Sequence, residues 1–201
     1  MAQGRLAQSI CRGGRGLAHF MMNHYVKLKP IFNWMPGKAR ARLKSMFLAP
    51  VFKLLYSSQT TTDVDTSSLA KGVTLVGYPR ADIGEGEFLR LTAGCLLHAG
   101  VPFGIYDYNV GISLSRNDDR VLSHIRVDNP YSVNIFLLKP DQSEASVIAL
   151  GDSFVGGRYN IGFWLWELGQ FPDPWTRPLN FFHEIWCPTR FVQKAIAEKS
   201  S

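Results

Sequence analysis

From Gly72 onward the chain alternates short apolar runs with stretches whose apolar residues recur at helical spacing. That alternation narrows the possible folds more than any other feature. Residues 73–78 (VTLVGY) are short, rich in β-branched side chains and apolar throughout, the composition of a strand buried on both faces. Residues 87–99 then place Phe88, Leu91, Cys95, Leu96 and either His98 or Ala99 at helical spacing, and Gly100 stops the helix as a C′ residue. Further strands are predicted at 103–108 (FGIYDY), 132–138 (SVNIFLL), 159–168 (YNIGFWLWEL) and 184–187 (EIWC). A short helix is predicted at 141–150, and Thr189 caps another at 190–199. Residues 109–128 are polar and read as a long loop with one short helix at 118–124, while Pro172, Pro174 and Pro178 break the chain around a further short helix. Strand, helix, strand in this order requires right-handed crossovers and a mainly parallel sheet. The expected fold is α/β, a Rossmann-like sheet of the five predicted strands.

Charge divides the chain differently. The 201 residues carry 22 Lys and Arg against 16 Asp and Glu, yet ten of the cations and none of the acids lie in residues 1–62. The remainder therefore holds 12 basic and 16 acidic side chains, so a +10 arm precedes a −4 domain. Within the arm, residues 39–56 place Leu43, Met46, Phe47, Val51, Leu54 and Leu55 mostly on one helical face, with Arg40, Arg42, Lys44 and Lys53 near the ends and a kink expected at Pro50. No run approaches the ~20 apolar residues that span a bilayer. Residues 1–56 are thus a basic amphipathic arm with three uses open to it. It suits an anionic membrane surface, where each Lys or Arg contributes about 1 kcal/mol. It equally suits packing of its apolar face on this domain or a neighbour. Aromatics among the cations (Phe20, Tyr25, Phe32, Trp34) would serve single-stranded nucleic acid, the least expected partner because no recognised module accompanies them. The acid-free start also has the composition of an organelle transit peptide.

Residues 57–71 (SSQTTTDVDTSSLAK) form a Ser/Thr/Asp linker, which places the domain at 72–201. Cys11, Cys95 and Cys187 are widely separated and lack metal-ligand spacing, so neither a disulfide scaffold nor a metal site is expected and a reducing, cytoplasmic compartment is. There is no P-loop, HExxH motif or nucleophile elbow, which removes the commoner hydrolase and NTPase readings.

In open parallel sheets ligands bind at the carboxyl ends of the strands, near the point where strand order reverses. That rule selects the loops after residues 78, 108, 138 and 168. In the first, Asp82-Ile83-Gly84-Glu85-Gly86-Glu87 joins a strand to a helix, so its glycines permit close backbone approach and the helix start offers N–H groups to an anion. A dinucleotide fingerprint is incomplete, because Leu89 occupies the third glycine position and Glu85 opposes a pyrophosphate. A purely structural turn is the plain alternative. Asp107 ends the second strand and suits a hydroxyl ligand or a cap. Glu167 lies among Trp164, Trp166 and Leu168, neighbours that would raise its pKa towards the range of a general base; a turn cap or an ion pair with Arg158 or Arg177 is the alternative.

Several segments together resemble the N-terminal half of a glycosyltransferase of the two-Rossmann-domain GT-B architecture that uses nucleotide sugars. They are GVTLVGYPRADIGEGEFLRLTAGCLLHAGVPF at 72–103, SVNIFLLKPDQ at 132–142, GRYNIGFWLWELGQFPDPW at 157–175 and HEIWCPTRFVQKAI at 183–196. Lys139 departs from the polar amide such a sequence would carry after its third strand. The resemblance implies an acceptor-side domain, with Gly84, Glu85 and Gly86 closing over the donor diphosphate, Arg80, Asp82, Asp107 and Trp166 binding acceptor or sugar, and Glu167 catalytic. It also implies a nucleotide-sugar co-substrate with no further cofactor, a glycan or lipid-linked acceptor, and a separate donor-binding half. The chain ends at Ser201, about where the first domain would hand over to the second, so it is expected to be a truncated or natural half, inactive alone. A helix N-terminus contributes only about 0.3–1 kcal/mol, against the ~8 kcal/mol or more of barrier reduction an enzyme supplies.

Overall fold

The computed structural model describes residues 64–109 and 115–200. The basic arm, its predicted helix at 39–56 and residues 57–63 of the linker lie outside the described residues. The elements follow the chain as β1 (Ala70–Gly77), α1 (Gly84–His98), β2 (Phe103–Asp107), β3 (Tyr131–Phe136), α2 (Pro140–Leu150), α3 (Asp152–Val155), β4 (Tyr159–Phe163), β5 (Glu184–Trp186) and α4 (Arg190–Ala197). Short 3-10 turns occupy Leu122–His124, Asp173–Trp175 and Arg177–Phe181. The five strands form one sheet in the order β2-β1-β3-β4-β5, and every pairing is parallel. This is the Rossmann-like α/β fold.

Alternation along each strand sorts the core into two layers. Leu75, Ile105, Ile135 and Ile161 point to the face covered by α1, where Leu89 and Ala93 meet them. Val76 and Phe136 point to the opposite face, which Val147 of α2, Phe154 and Val155 of α3, and Val192 and Ile196 of α4 cover. Both layers are apolar because strands buried on two faces have no solvent side on which to place polar residues.

One polar thread crosses the second layer. The Thr74 hydroxyl donates to Asn129 Oδ1 (2.6 Å), Asn129 Nδ2 to Asn134 Oδ1 (2.8 Å), Asn134 Nδ2 to Asn160 Oδ1 (2.8 Å), and Asn160 Nδ2 to the Val155 carbonyl (3.0 Å). Asn129 Nδ2 and Asn134 Nδ2 also donate to the Phe154 carbonyl. The chain of amides ties β1, β3 and β4 to the end of α3, and Thr74, Asn134 and Asn160 are buried.

The fourth strand ends at Phe163, five residues earlier than its alternation predicts. The physical reason is its neighbour. β5 has three residues, β3 pairs with β4 no further than Gly162, and after Trp164 N–H donates to the Trp186 carbonyl (3.0 Å) no strand among the described residues remains for 165–168 to pair with. The helix expected at 118–124 is reduced to the single turn Leu122–His124, and β1 begins at Ala70, within the predicted linker. Among the described residues no helix is long and apolar enough to cross a membrane.

Candidate functional site

Because every strand runs the same way, the loops after β1, β2, β3 and β4 all emerge on one edge. The connection from β1 goes to β2 on one side, while β3 lies on the other, so strand order reverses between β1 and β3. The two loops flanking this switch point are the start of α1 and the start of α2.

At the start of α1 the two glycines do different work. A Cβ on Gly86 would lie 2.3 Å from the Ala81 carbonyl oxygen and 2.9 Å from that of Tyr78, so this glycine lets the helix seat against the loop after β1. Gly84 is exposed with open space around its missing Cβ. The first N–H returned to the helix is that of Glu87, which donates to the Ile83 carbonyl (3.0 Å). The N–H groups of residues 84–86 thus precede the helical ladder and stand at the positive end of α1. Of the glycine pair, Gly84 is the one that leaves room for a ligand.

Glu85, unfavourable to an anion when read alone, is paired. Its carboxylate lies 3.1 Å from Lys139 Nζ, and Lys139 is the N-cap residue of α2, with Pro140 at the first helical position. The ion pair bridges the switch point and holds the Lys139 ammonium above its ordinary pKa. Beside it Glu85, Phe88, Leu137, Leu138, Lys139, Phe163 and Leu165 line a shallow depression.

A second set of charges joins the loops after β1 and β2. Arg80 donates from Nε (3.2 Å) and Nη2 (2.9 Å) to Asp119 Oδ1, so it serves the acidic loop that follows β2. Asp82 N–H donates to the Ser115 carbonyl (3.1 Å), and its exposed carboxylate accepts from Asn117 Nδ2 (3.4 Å). Asp107, at the end of β2, pairs with Arg116. Burial raises the Asp107 pKa, with the Arg116 and Arg80 guanidinium groups opposing it. Arg90, 6 % exposed, donates from Nη1 to the carbonyls of Pro79 (2.8 Å) and Ala81 (3.1 Å) and reaches Glu87 (2.9 Å) and Asp118 (3.2 Å). Arg120 bridges the same two carboxylates at 2.6 Å each. These pairs fix residues 115–120 over the first turn of α1. The sequence carried a sign of this in SRNDDR at 115–120, a run dense in both charges within the loop that follows β2, but ion pairs leave no periodic trace from which the partners can be read.

Two tyrosines close the edge from below. Tyr78 and Tyr108 follow β1 and β2, and their rings are 6.0 Å apart. Burial pushes the Tyr108 hydroxyl up to about 12, and raises that of Tyr78 further.

Beyond β4 the three aromatic and acidic candidates separate. Trp164 is fully buried, stacks parallel to Phe171 (6.1 Å) and donates from Nε1 to the Ser143 hydroxyl (3.1 Å), which makes it core. Trp166 is half-buried and meets Phe171 and Trp175 edge to face at 5.5 and 5.1 Å, while its buried Nε1 has no hydrogen-bond partner among the described residues. Glu167 is exposed. The apolar enclosure expected for it is absent because the chain has left the sheet at Phe163, four residues earlier. Arg158, one of its expected alternative partners, instead donates to the carbonyls of Tyr131 (3.0 Å) and Asn129 (2.6 Å). Glu167 nonetheless stands within electrostatic range of Lys139.

The fold therefore brings Gly84, Glu85, Lys139 and Glu167 to the switch-point side of the edge and sets Arg80, Asp82 and Asp107 in the ion-paired loops after β1 and β2. Comparison with protein-family models, curated proteins and solved structures finds no match in any of the three.

Proposed function

We propose that residues 72–201 are the acceptor-side domain of a GT-B glycosyltransferase, which moves a sugar from a nucleotide-sugar donor to a hydroxyl of a glycan or lipid-linked glycan and requires a donor-binding half to do so. The observation that carries the reading is the switch point. An all-parallel sheet whose order reverses between β1 and β3 sets an open helix N-terminus beside a lysine on the edge that also carries Glu167. In this reading the N–H groups at Gly84–Gly86 and the ammonium of Lys139 face the leaving diphosphate. Lys139 would exchange Glu85 for a phosphate oxygen, and preorganised donors of this kind stabilise charge that develops on a leaving group. Asp82, Asp107, Arg80 and Trp166 meet the acceptor, with the half-buried Trp166 ring as an apolar platform. Glu167 takes the proton of the attacking hydroxyl, and its exposure leaves it open to an acceptor entering from solvent.

The test is reconstitution with a donor-binding domain supplied in trans and measurement of sugar transfer. Turnover that falls about 10²- to 10⁴-fold in Glu167→Gln would support the assignment of the base. Full turnover in that variant would remove it.

A second reading is a non-catalytic glycan- or partner-binding module. It is favoured by the pairing of Arg80, Arg116 and Lys139, each with a carboxylate partner on this edge. Glycan binding without nucleotide-sugar binding, and no transfer with any donor domain, would select it.

A further inference from the structure

The two faces of the sheet are covered unequally. On the face that carries α1, this helix and residues 121–125 cover β2, β1 and β3, because Leu89, Ala93 and Val121 lie in the core with Leu75, Ile105 and Ile135. Over β4 and β5 the same face has no helix among the described residues. What stands there is apolar and aromatic. Phe163 meets Phe88 edge to face at 4.7 Å on one side and Trp186 at 5.7 Å on the other. Phe88, Leu91 and Cys95 recur at three- and four-residue spacing and so share a flank of α1. The Phe88–Phe163 contact turns that flank towards β4. The result is a trough with α1 as one wall and Tyr159, Phe163 and Trp186 as its floor. Trp186 is 41% exposed and Leu91 59%, values that leave large apolar side chains facing water.

At the far side of the floor sits one acid. Glu184 accepts from the Tyr159 hydroxyl (2.7 Å) on one oxygen and from Trp186 Nε1 (2.7 Å) on the other, and these hydrogen bonds hold its pKa below the usual carboxylate range. The ionised group is oriented by two aromatic donors, and it has no cation among the ion pairs of the described residues. The trough thus asks for an occupant with an apolar face, a helix's width and positive charge.

We infer that the occupant is residues 39–56 of this same chain. Their apolar residues Leu43, Met46, Phe47, Val51, Leu54 and Leu55 recur mostly on one helical face, and Arg40, Arg42, Lys44 and Lys53 flank it. The arm as a whole is +10 and the rest of the chain −4, so attraction is general as well as local to Glu184. The connection is long enough. Thirteen residues separate Tyr56 from Ala70, at which β1 begins. At ~3.3 Å per residue they reach ~45 Å, whereas β5 lies three strand spacings from β1, or about 14 Å. A helix laid beside α1 on this half would complete the second covered face that an all-parallel sheet requires. The inference does not depend on glycosyl transfer, and it assigns the arm's apolar face to the domain in place of a membrane.

The experiment uses the full chain with p-benzoylphenylalanine in place of Trp186, and a second variant with it in place of Leu91, whose exposure keeps the fold safe from the substitution. After irradiation the monomer is digested and its cross-links are read by mass spectrometry. Links from both positions to peptides within 39–56 of the same chain are expected, and adding Phe47→Asp with Leu54→Asp should abolish them. The intrachain links should also survive vesicles of anionic phospholipid. Links between chains would assign the trough to a second copy and overturn the inference, as would links to other segments alone or no link at all. Loss of the intrachain links on vesicle addition, with flotation of the protein, would overturn it in favour of the membrane surface.

Discussion

Asn134→Ala should be among the most damaging single substitutions in the domain, although the residue lies within β3 and in none of the loops at the carboxyl edge. Its side chain is fully buried and makes three hydrogen bonds, accepting from Asn129 Nδ2 and donating to Asn160 Oδ1 and the Phe154 carbonyl. After truncation Asn129 Nδ2 keeps the Phe154 carbonyl (2.9 Å), and that carbonyl keeps Asn129. Asn160 Oδ1 loses its donor inside the buried sheet. One orphaned buried acceptor costs about 1–3 kcal/mol, and the void left by the amide adds ~1 kcal/mol, so about 2–4 kcal/mol is expected. For a domain of this size that lowers Tm by about 10 °C. Urea unfolding followed by circular dichroism measures it. The sharper check is a cycle with Asn160→Ala. Removing both amides also removes the orphaned acceptor, so the double variant should cost less than the sum of the singles by about 1–2 kcal/mol. Additive costs, or an Asn134→Ala loss below about 1 kcal/mol, would show that the amides act separately and refute the idea of a coupled thread.

The two glycines at the start of α1 should part company in the same assay. Gly86→Ala drives a methyl into the Ala81 carbonyl and should cost about 1–3 kcal/mol, whereas Gly84→Ala meets open space and should be near neutral in stability while weakening any ligand that approaches there. Acid unfolding should report Asp118. Hydrogen bonds from Arg120 hold its pKa at about 2, against 3.8 in the absence of such partners. Its folded value is the lower one, so its contribution is complete above the unfolded value and disappears as pH falls through the folded one. Asp118→Asn should therefore shrink the drop in urea midpoint between about pH 5 and about pH 2, while Asp107, raised by burial, contributes with the opposite sign. An unchanged drop would mean that the ion pairs over α1 do not persist in solution. Glu167→Gln and the photo-cross-linking variants complete the set.

The scaffold was legible because strands buried on both faces write themselves as short apolar runs, and the five such runs all became strands. Thr189 reads as a cap and is one, its hydroxyl accepting from the Val192 N–H. The errors share a cause. The alternation of residues 164–168 looks like strand, but whether a strand continues depends on a partner, and β5 is too short to provide one. Ile83 starts α1 and Lys139 starts α2 without a side-chain cap, so neither boundary carried the usual mark. The site was half legible. The glycine loop stood out by composition, and the different tasks of Gly84 and Gly86 emerged only when the carbonyls of Tyr78 and Ala81 had positions. Lys139 was visible as a departure from a pattern, and its pairing with Glu85 needed the two loops to be brought together across the switch point.

The edges of the sheet bear on how this protein can meet others. β5 exposes only three residues, and on the other side the isolated bridge between Ile105 and Ile125, with the Arg126 N–H donating to the Ile105 carbonyl (2.8 Å), already occupies the outer margin of β2. Among the described residues neither border offers a long row of free backbone groups, so strand addition, and the runaway stacking that accompanies it, has little to build on there. Association at these borders then falls to side chains, where a single substitution can tune it.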